Sequence, residues 1–111
     1  MVKISSNNTI RMTKGDTLRT KVLLTDLEGN EYVPEPGDRI RFAMKRAYSD
    51  EEVLILKDIP IDNLILTLRP EDTKSLDAPA PYVYDIEMTY ANGDVDTFIA
   101  KAKLMLTEEV Y

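Results

Sequence analysis

The stretch "PYVYDIEMTYANGDVDTFIAKAKLML", residues 81–106, decides the fold, because an Asn-Gly pair separates two runs of alternating apolar residues. Asn92 and Gly93 predict a β-hairpin with a type I′ turn, since both residues tolerate the positive φ that this turn requires. Asp94 and Asp96 then face solvent. Pairing outward from the turn places three pairs on the inner face: Tyr90 with Val95, Met88 with Thr97, and Ile86 with Ile99.

An uninterrupted second strand would be in the wrong phase beyond Ile99. It would bury Lys101 and Lys103 and expose Leu104 and Leu106, which reverses the preferences of all four side chains. We therefore predict a β-bulge within residues 100–102, since one extra residue moves the following side chains to the opposite face. Beyond the bulge, the inner residues are predicted to be Ala102, Leu104 and Leu106.

Period-two alternation continues through the rest of the chain, and no window shows the stripe of an amphipathic helix. The clearest strand is residues 38–46, where Ile40, Phe42 and Met44 alternate with basic side chains. Pro70 is suited to the first turn of a brief helix. Strands are predicted at residues 9–13, 17–25, 38–46, 53–58, 63–68, 81–90 and 94–107.

Composition narrows the possible functions. With 111 residues, 43% of them hydrophobic, the chain is predicted to form one domain over residues 1–111, large enough to bury a core. Cys, His and Trp are absent, which excludes disulfides, thiol chemistry, Cys/His zinc sites and Ser-His nucleophiles. The net charge of −6 argues against nucleic acid as a partner. No apolar run is long enough to cross a membrane, and the N-terminus lacks the charged-then-apolar pattern of an export signal, so we expect neither a membrane span nor an export signal.

The acidic turns do not have the spacing of a metal or catalytic site. Counting from Asn92 or from Asp26, the twelfth position of an EF-hand loop, which needs Glu, holds Lys103 or Gly37. Neighbouring carboxylates on one exposed strand face, such as Asp85 with Glu87, lack the apolar pocket that raises the pKa of a general acid. We therefore expect no metal, no cofactor and no enzymatic activity.

Residues 66–76, "LTLRPEDTKSL", followed by "YVYDI" at 82–86, resemble the junction before the sixth strand of immunoglobulin variable domains. The resemblance implies an all-β fold, a single immunoglobulin-like β-sandwich of about seven antiparallel strands with Greek-key connections. The third and sixth predicted strands would then be neighbours. That pairing accounts for net charges of +3 through Arg46 and −9 after it, because Arg39, Arg41 and Lys45 would face Asp85 and Glu87.

Six further motifs follow one another along the chain: "GDT" at 15–17, "GDRIRF" at 37–42, "PEDT" at 70–73, "YVYDI" at 82–86, "NGDVDT" at 92–97 and "TEEV" at 107–110. In their order and spacing, the sequence from Ile10 to Val110 resembles small tail and baseplate-associated proteins of phages and prophages of Gram-positive bacteria, in particular the immunoglobulin-like N-terminal domain of the upper baseplate protein. The resemblance implies a structural protein of the virion, made in the cytoplasm of a bacterial host. Such a protein docks to other virion structural proteins, often in symmetric assemblies, of which a homo-oligomer is one form.

Four apolar side chains are predicted to lie opposite the core and are the candidates for a protein interface: Leu23, Val83, Phe98 and Met105. The alternative function is a carbohydrate-binding or adhesin-like β-sandwich module that uses its tyrosines and an acidic turn. The tyrosines of residues 81–90 argue for core packing instead, because Tyr82 and Tyr84 are in phase with Ile86 and Met88.

Overall fold

A computed structural model describes residues 3–4, 8–25 and 28–108, the first pair by backbone alone. The fold is all-β with two sheets and one short helix, as the alternation predicts. The elements are β1 (Lys3–Ile4), β2 (Ile10–Thr13), β3 (Leu18–Lys21), β4 (Arg39–Lys45), β5 (Ile55–Ile59), β6 (Ile65–Leu68), α1 (Pro70–Thr73), β7 (Ala80–Thr89) and β8 (Val95–Thr107).

The larger sheet has six strands in the order β1-β2-β8-β7-β4-β5, and the smaller sheet consists of β3 and β6. The larger sheet is mixed and not purely antiparallel as predicted, because β2 and β8 run parallel, with Ile10 opposite Leu104. Two strands joined by a short hairpin must be antiparallel. No hairpin joins β2 to β8, because β2 leads into the other sheet and five strands separate the two in the chain, so they are free to run parallel. The predicted adjacency of the third and sixth strands is confirmed by the β4–β7 ladder.

One apolar cluster joins the two sheets. The inward residues predicted for β4, namely Ile40, Phe42 and Met44, are at most 1% exposed. The Phe42 ring lies against the Tyr84 ring, with centroids 5.1 Å apart. Tyr82 and Tyr84 are 2% and 3% exposed, which confirms that these tyrosines belong to the core.

The hairpin connection is longer than the predicted two-residue turn. The Tyr90 N–H donates to the Asp94 carbonyl at 2.7 Å, and the Gly93 N–H donates to the Tyr90 carbonyl at 2.9 Å. Of the described residues 91–93, Gly93 alone has a positive φ, +95°, so the type I′ prediction is wrong. Val95 therefore pairs with Thr89 and not with Tyr90 as predicted, and its side chain is 56% exposed.

The predicted bulge at residues 100–102 is confirmed. Ile86 pairs with Ile99 as predicted, whereas Tyr84 pairs with Ala102, so β8 carries one extra residue between these pairs. Lys101 has a φ of +57° at this point. Its N–H donates to Asp85 Oδ1 at 2.9 Å, which satisfies a backbone donor at the interruption. Ala102, Leu104 and Leu106 are buried beyond it.

Acidic partners of the basic strand differ in part from those predicted. Arg41 lies opposite Glu87 in the β4–β7 ladder, as expected. The guanidinium groups of Arg39 and Arg41 nevertheless pair with Asp58 on the other neighbour, β5, at 3.1 and 3.4 Å. Asp85 instead accepts bonds from the Tyr48 hydroxyl and the Lys101 N–H. The bulge thus gives the Asp85 carboxylate a backbone donor in place of the predicted basic side chain.

Helix α1 connects two of the sequence motifs. Asp72 accepts the Arg69 N–H at 2.7 Å and pairs with Lys57 Nζ at 2.9 Å, which fixes the start of the helix. Thr73, which is fully buried, accepts the Gly15 N–H through Oγ1 at 2.9 Å. The "GDT" turn between β2 and β3 is thereby tied to the "PEDT" helix.

We expect Thr73→Val to lower the free energy of unfolding by about 1–3 kcal/mol, because the isosteric valine leaves the Gly15 N–H without its acceptor. Urea denaturation followed by tyrosine fluorescence measures the change. Thr73→Ser is the matched control, since it keeps the hydroxyl. Its loss of stability should be less than half of the loss in Thr73→Val. Wild-type stability of Thr73→Val would contradict the assignment, because valine keeps the methyl group of threonine and lacks only the hydroxyl acceptor.

Candidate functional site: an aromatic cleft and an apolar stripe

A cleft of about 640 Å³ opens beside the β7–β8 hairpin. Three rings form its wall: Tyr32 comes from the β3–β4 connection, Tyr90 directly follows β7, and Phe98 belongs to β8. The Tyr32 ring centroid lies 6.0 Å from that of Tyr90, nearly perpendicular to it, and 5.9 Å from that of Phe98. We call this the aromatic cleft; its lining residues are Thr25, Glu28, Tyr32, Tyr90, Asp96, Thr97 and Phe98.

A second irregularity in β8 brings Phe98 into the cleft. Ile86 pairs with Ile99 and Glu87 with Thr97, so Phe98 is the extra residue between these pairs. Its ring is half-buried and packs against the core. The prediction that Phe98 lies on the face opposite the core is therefore wrong, since the strand changes phase before the predicted bulge as well as at it.

Asp38 connects the segments that form the cleft through three hydrogen bonds. Its Oδ2 accepts the Tyr32 hydroxyl and the Glu35 N–H, both at 2.9 Å, and its Oδ1 accepts the Ala91 N–H at 3.2 Å. Gly37 makes the close approach possible: it has a φ of +95°, and a Cβ there would lie 2.9 Å from the Ala91 Cβ. The start of β4 is thus fastened to the hairpin connection.

These bonds shift the ionisation of both partners. The Glu35 N–H, with help from the Tyr32 hydroxyl, holds the pKa of Asp38 below its usual range. Burial, reinforced by the bond to Asp38, raises the pKa of Tyr32 to about 12. The native fold therefore favours an ionised Asp38 and a neutral Tyr32 at neutral pH.

We expect Asp38→Asn to reduce the sensitivity of the fold to acid. The pKa of Asp38 is lower in the folded state than in the unfolded chain, so its ionised form contributes stability above about pH 4, and this contribution is lost as the pH falls through the lowered pKa. Thermal melts between about pH 7 and pH 2 should therefore fall less steeply for the variant than for the wild type.

The same variant should already be less stable at neutral pH, because the asparagine amide places a donor against the Ala91 N–H. Glu51→Gln, in the exposed β4–β5 connection, is the control and should leave the pH profile unchanged. Parallel acid profiles for Asp38→Asn and the wild type would contradict the assignment.

The cleft offers hydrogen-bond acceptors and aromatic faces. The Tyr32 hydroxyl donates to Asp38, and the Tyr90 hydroxyl donates to Asp96 Oδ2 at 3.0 Å, so both phenolic hydrogens are engaged. Glu28 and Asp96 add carboxylates, and none of the described residues that line the cleft is basic. Such a surface suits a ligand that brings its own donors or a positive charge.

Sequence reasoning did not find this cleft. Tyr32 lies in the Pro-rich β3–β4 connection, where no periodicity indicates which way a side chain points, and Tyr90 was predicted to face the core beside Val95. One feature of the sequence could have indicated the cleft: two acidic residues, Asp94 and Asp96, lie between the aromatic residues Tyr90 and Phe98 around the hairpin.

The other predicted interface residues lie on different surfaces. Leu23 is 64% exposed just after β3, on the smaller sheet. Val83 and Met105 are half-buried on the outer face of the six-stranded sheet, where Met105 pairs with Pro81 and Val83 with Lys103. The structure thus brings together two of the four residues, and their role in an interface stays a prediction.

Val83 and Met105 belong to a longer apolar surface that crosses four strands of the six-stranded sheet. Ala43 continues it on β4 and pairs with Leu56 on β5, which is 56% exposed. Charged side chains lie beside these residues in the ladders. Lys45 and Lys103 flank Val83, Arg11 lies opposite Met105, and Asp85 lies opposite Ala43. We call this surface the apolar stripe: Met105, Pro81, Val83, Ala43 and Leu56.

Across residues 8–25 and 28–108, no three acidic side chains converge in a way that would hold a metal ion. Within the described residues, no helix has the length and apolar character needed to cross a membrane. No family model matches the chain, and no curated protein matches it significantly.

Proposed function

We propose that the chain is a structural protein of a phage or prophage virion, associated with the tail or baseplate, which acts by contacting other virion proteins. We also propose that its sandwich is immunoglobulin-like. In support of that topology, β4–β5 and β7–β8 are sequential neighbours in one sheet, whereas the β2–β3, β3–β4, β5–β6 and β6–β7 connections pass between the sheets.

Contacts between the motifs that carry the family resemblance also support this proposal. Gly15 of "GDT" is bonded to Thr73 of "PEDT". Gly37 and Asp38 of "GDRIRF" pack on Ala91, which immediately precedes "NGDVDT". Motifs that are far apart in the chain thus serve as contacts that define the corners of the fold, which is what a shared architecture would require.

The observation that carries the function is the apolar stripe. An outward sheet face with Leu56 at 56% exposure and Val83 and Met105 half-buried suits burial against another protein. The basic side chains beside it, Lys45, Lys103 and Arg11, favour a partner with an acidic rim, because opposite charges at the edge of an interface speed association.

Purified virions from the bacterium that carries the gene provide the test. Mass spectrometry should find the chain in a fixed ratio to the tail proteins after high-salt washing. Its absence from intact particles would overturn the proposed function. Light scattering behind size exclusion, over a hundredfold range of concentration, would separately show whether the chain also assembles with itself.

A double variant, Leu56→Gln with Met105→Gln, tests the apolar stripe without changing charge. The variant should remain folded, as judged by its thermal melt, and should be lost from the particles. Val33→Gln is the control, because it makes a side chain polar at an apolar site that is 72% exposed and lies in the β3–β4 connection, outside the strands that carry the stripe. Normal incorporation of the folded double variant would contradict the stripe as the contact surface.

The carbohydrate-binding alternative draws support from the aromatic cleft, because sugar sites combine aromatic rings with carboxylates. The buried tyrosines of β7 do not contribute to it: Tyr82 and Tyr84 are at most 3% exposed. Reproducible binding to a glycan array that is abolished by Phe98→Leu would favour this alternative.

A further inference from the structure

We propose that the aromatic cleft binds the guanidinium group of an arginine side chain on a partner protein. The inference rests on the proposed function only for the source of the arginine, a neighbouring protein of the virion. The chemistry of the cleft itself carries the choice of ligand.

The first argument is the balance of donors and acceptors. Both phenolic hydrogens at the cleft are engaged, by Asp38 and Asp96, at 2.9 and 3.0 Å. Asp96 presents a carboxylate, which only accepts. The hydrogens for any polar contact with this carboxylate must therefore come from the ligand. An anionic ligand would face charge repulsion from it, because the described residues of the lining include the neutral hydroxyl groups of Thr25 and Thr97 but no basic side chain.

The second argument is the arrangement of the rings. Tyr32 has neighbouring ring centroids at 6.0 and 5.9 Å, so the lining gathers three aromatic rings, and these rings are the surface on which the cation is proposed to stack. The chain uses the same interaction elsewhere: the Arg46 guanidinium lies over the Tyr82 ring, 5.1 Å from its centroid. A second guanidinium would meet a comparable surface in the cleft.

The third argument selects arginine over lysine. A guanidinium is planar, stacks on an aromatic face, and directs several N–H donors toward carboxylates at its edge. The cleft provides both surfaces, with rings along one wall and Asp96 at their border. An ammonium group would reach one carboxylate but would use the flat wall less well, because it is compact and strongly hydrated.

The probe for a direct test is N-acetyl-arginine amide, added to the isotope-labelled full chain and followed by NMR. Saturable shifts are expected for the amides of residues 90–98 and for the ring protons of Tyr32. N-acetyl-citrulline amide has nearly the same shape without the charge, and we expect it to bind at least about fivefold more weakly, since the cation–π and carboxylate contributions are lost.

Two variants locate the site. Asp96→Asn keeps an acceptor for the Tyr90 hydroxyl but removes the charge, and it should weaken arginine binding about two- to fivefold. Phe98→Leu should weaken it by a similar factor by removing a ring. Glu51→Gln is the matched charge control in the connection at the other end of β4, and binding should be unchanged.

Other outcomes would overturn the inference. Shifts scattered over surface carboxylates, or equal binding of arginine and citrulline, would mean that the cleft does not select a cation. Saturable shifts at the cleft with N-acetylglucosamine but not with arginine would assign it to carbohydrate. Because the assay uses the isolated chain, its failure leaves the virion proposal standing, and absence from virions would leave arginine binding intact.

Discussion

We expect deletion of Lys103 to abolish the stable fold, whereas deletion of Ala100, in the same strand, leaves it largely intact. Removing Lys103 forces a choice on β8. Either the bulge is retained and Leu104 and Leu106 turn to solvent, or the bulge is lost and Lys101 enters the buried position of Ala102. Exposing two buried leucines costs about 3–6 kcal/mol, and burying an unpaired ammonium is also unfavourable.

Removing Ala100 has the opposite consequence. The two residues that oppose Asp85 become one, so Ile99 and Ala102 keep their partners Ile86 and Tyr84 in a regular ladder. Lys101 no longer needs its φ of +57°, and the chain loses the bond between its N–H and Asp85. These effects oppose each other, so the free energy of unfolding should change by no more than about 1 kcal/mol.

Denaturant titration of the two variants measures this contrast, with circular dichroism and tyrosine fluorescence as independent probes. Deletion of Glu52, in the exposed β4–β5 connection, controls for the general effect of shortening the chain. Equal damage from the Ala100 and Lys103 deletions would show that the bulge is needed for its own sake and not as a correction of phase.

Phe42→Ala should lower the free energy of unfolding by about 3–5 kcal/mol. Phe42 is fully buried on β4, between β7 and β5, and its ring packs on Tyr84. Truncation removes the buried ring and leaves a cavity. Strand β4 cannot readily move to close this cavity, because it is paired with a neighbouring strand on each side. The loss is a large fraction of the roughly 5–15 kcal/mol that stabilises a typical domain.

The midpoint of urea denaturation checks this value, provided that the slope of the transition is unchanged. Val33→Ala is the control, because Val33 is 72% exposed and its truncation should change the free energy by less than about 0.5 kcal/mol. Phe42→Leu should recover part of the loss by refilling the cavity. A cost for Phe42→Ala below about 1 kcal/mol would place the centre of the core elsewhere.

Features of the fold that depend on strand alternation were predictable from the sequence. The alternation of apolar and polar residues indicates where the strands lie. The bulge is predictable because an uninterrupted strand would bury Lys101 and Lys103, which is unfavourable. The hairpin turn was not predictable from its own residues. Asn92 and Gly93 favour a two-residue turn, but Asp38 and Gly37 bind and pack on Ala91, and these distant contacts accompany a longer connection.

The aromatic cleft was beyond sequence reasoning for a related reason. Its wall is assembled from a connection, a strand end and a bulged residue: Tyr32, Tyr90 and Phe98. Period-two analysis assigns Phe98 to the solvent face, because a bulge changes phase without an obvious marker in the sequence. The immunoglobulin-like resemblance suggested which strands are neighbours, and it carried no information about this cleft.

The two interruptions of β8 also bear on aggregation. Strand β2 pairs with β8 only at Leu104–Thr107, so within the described chain the same edge of residues 95–103 has no neighbouring strand. An open edge of regular backbone donors and acceptors is a template for intermolecular strand pairing. The irregularities at Phe98 and at Lys101 fall inside this stretch and break its repeat, which makes the edge a poor template for a strand of another molecule. The same two interruptions that shape the cleft and correct the phase of β8 therefore also protect its open edge against aggregation.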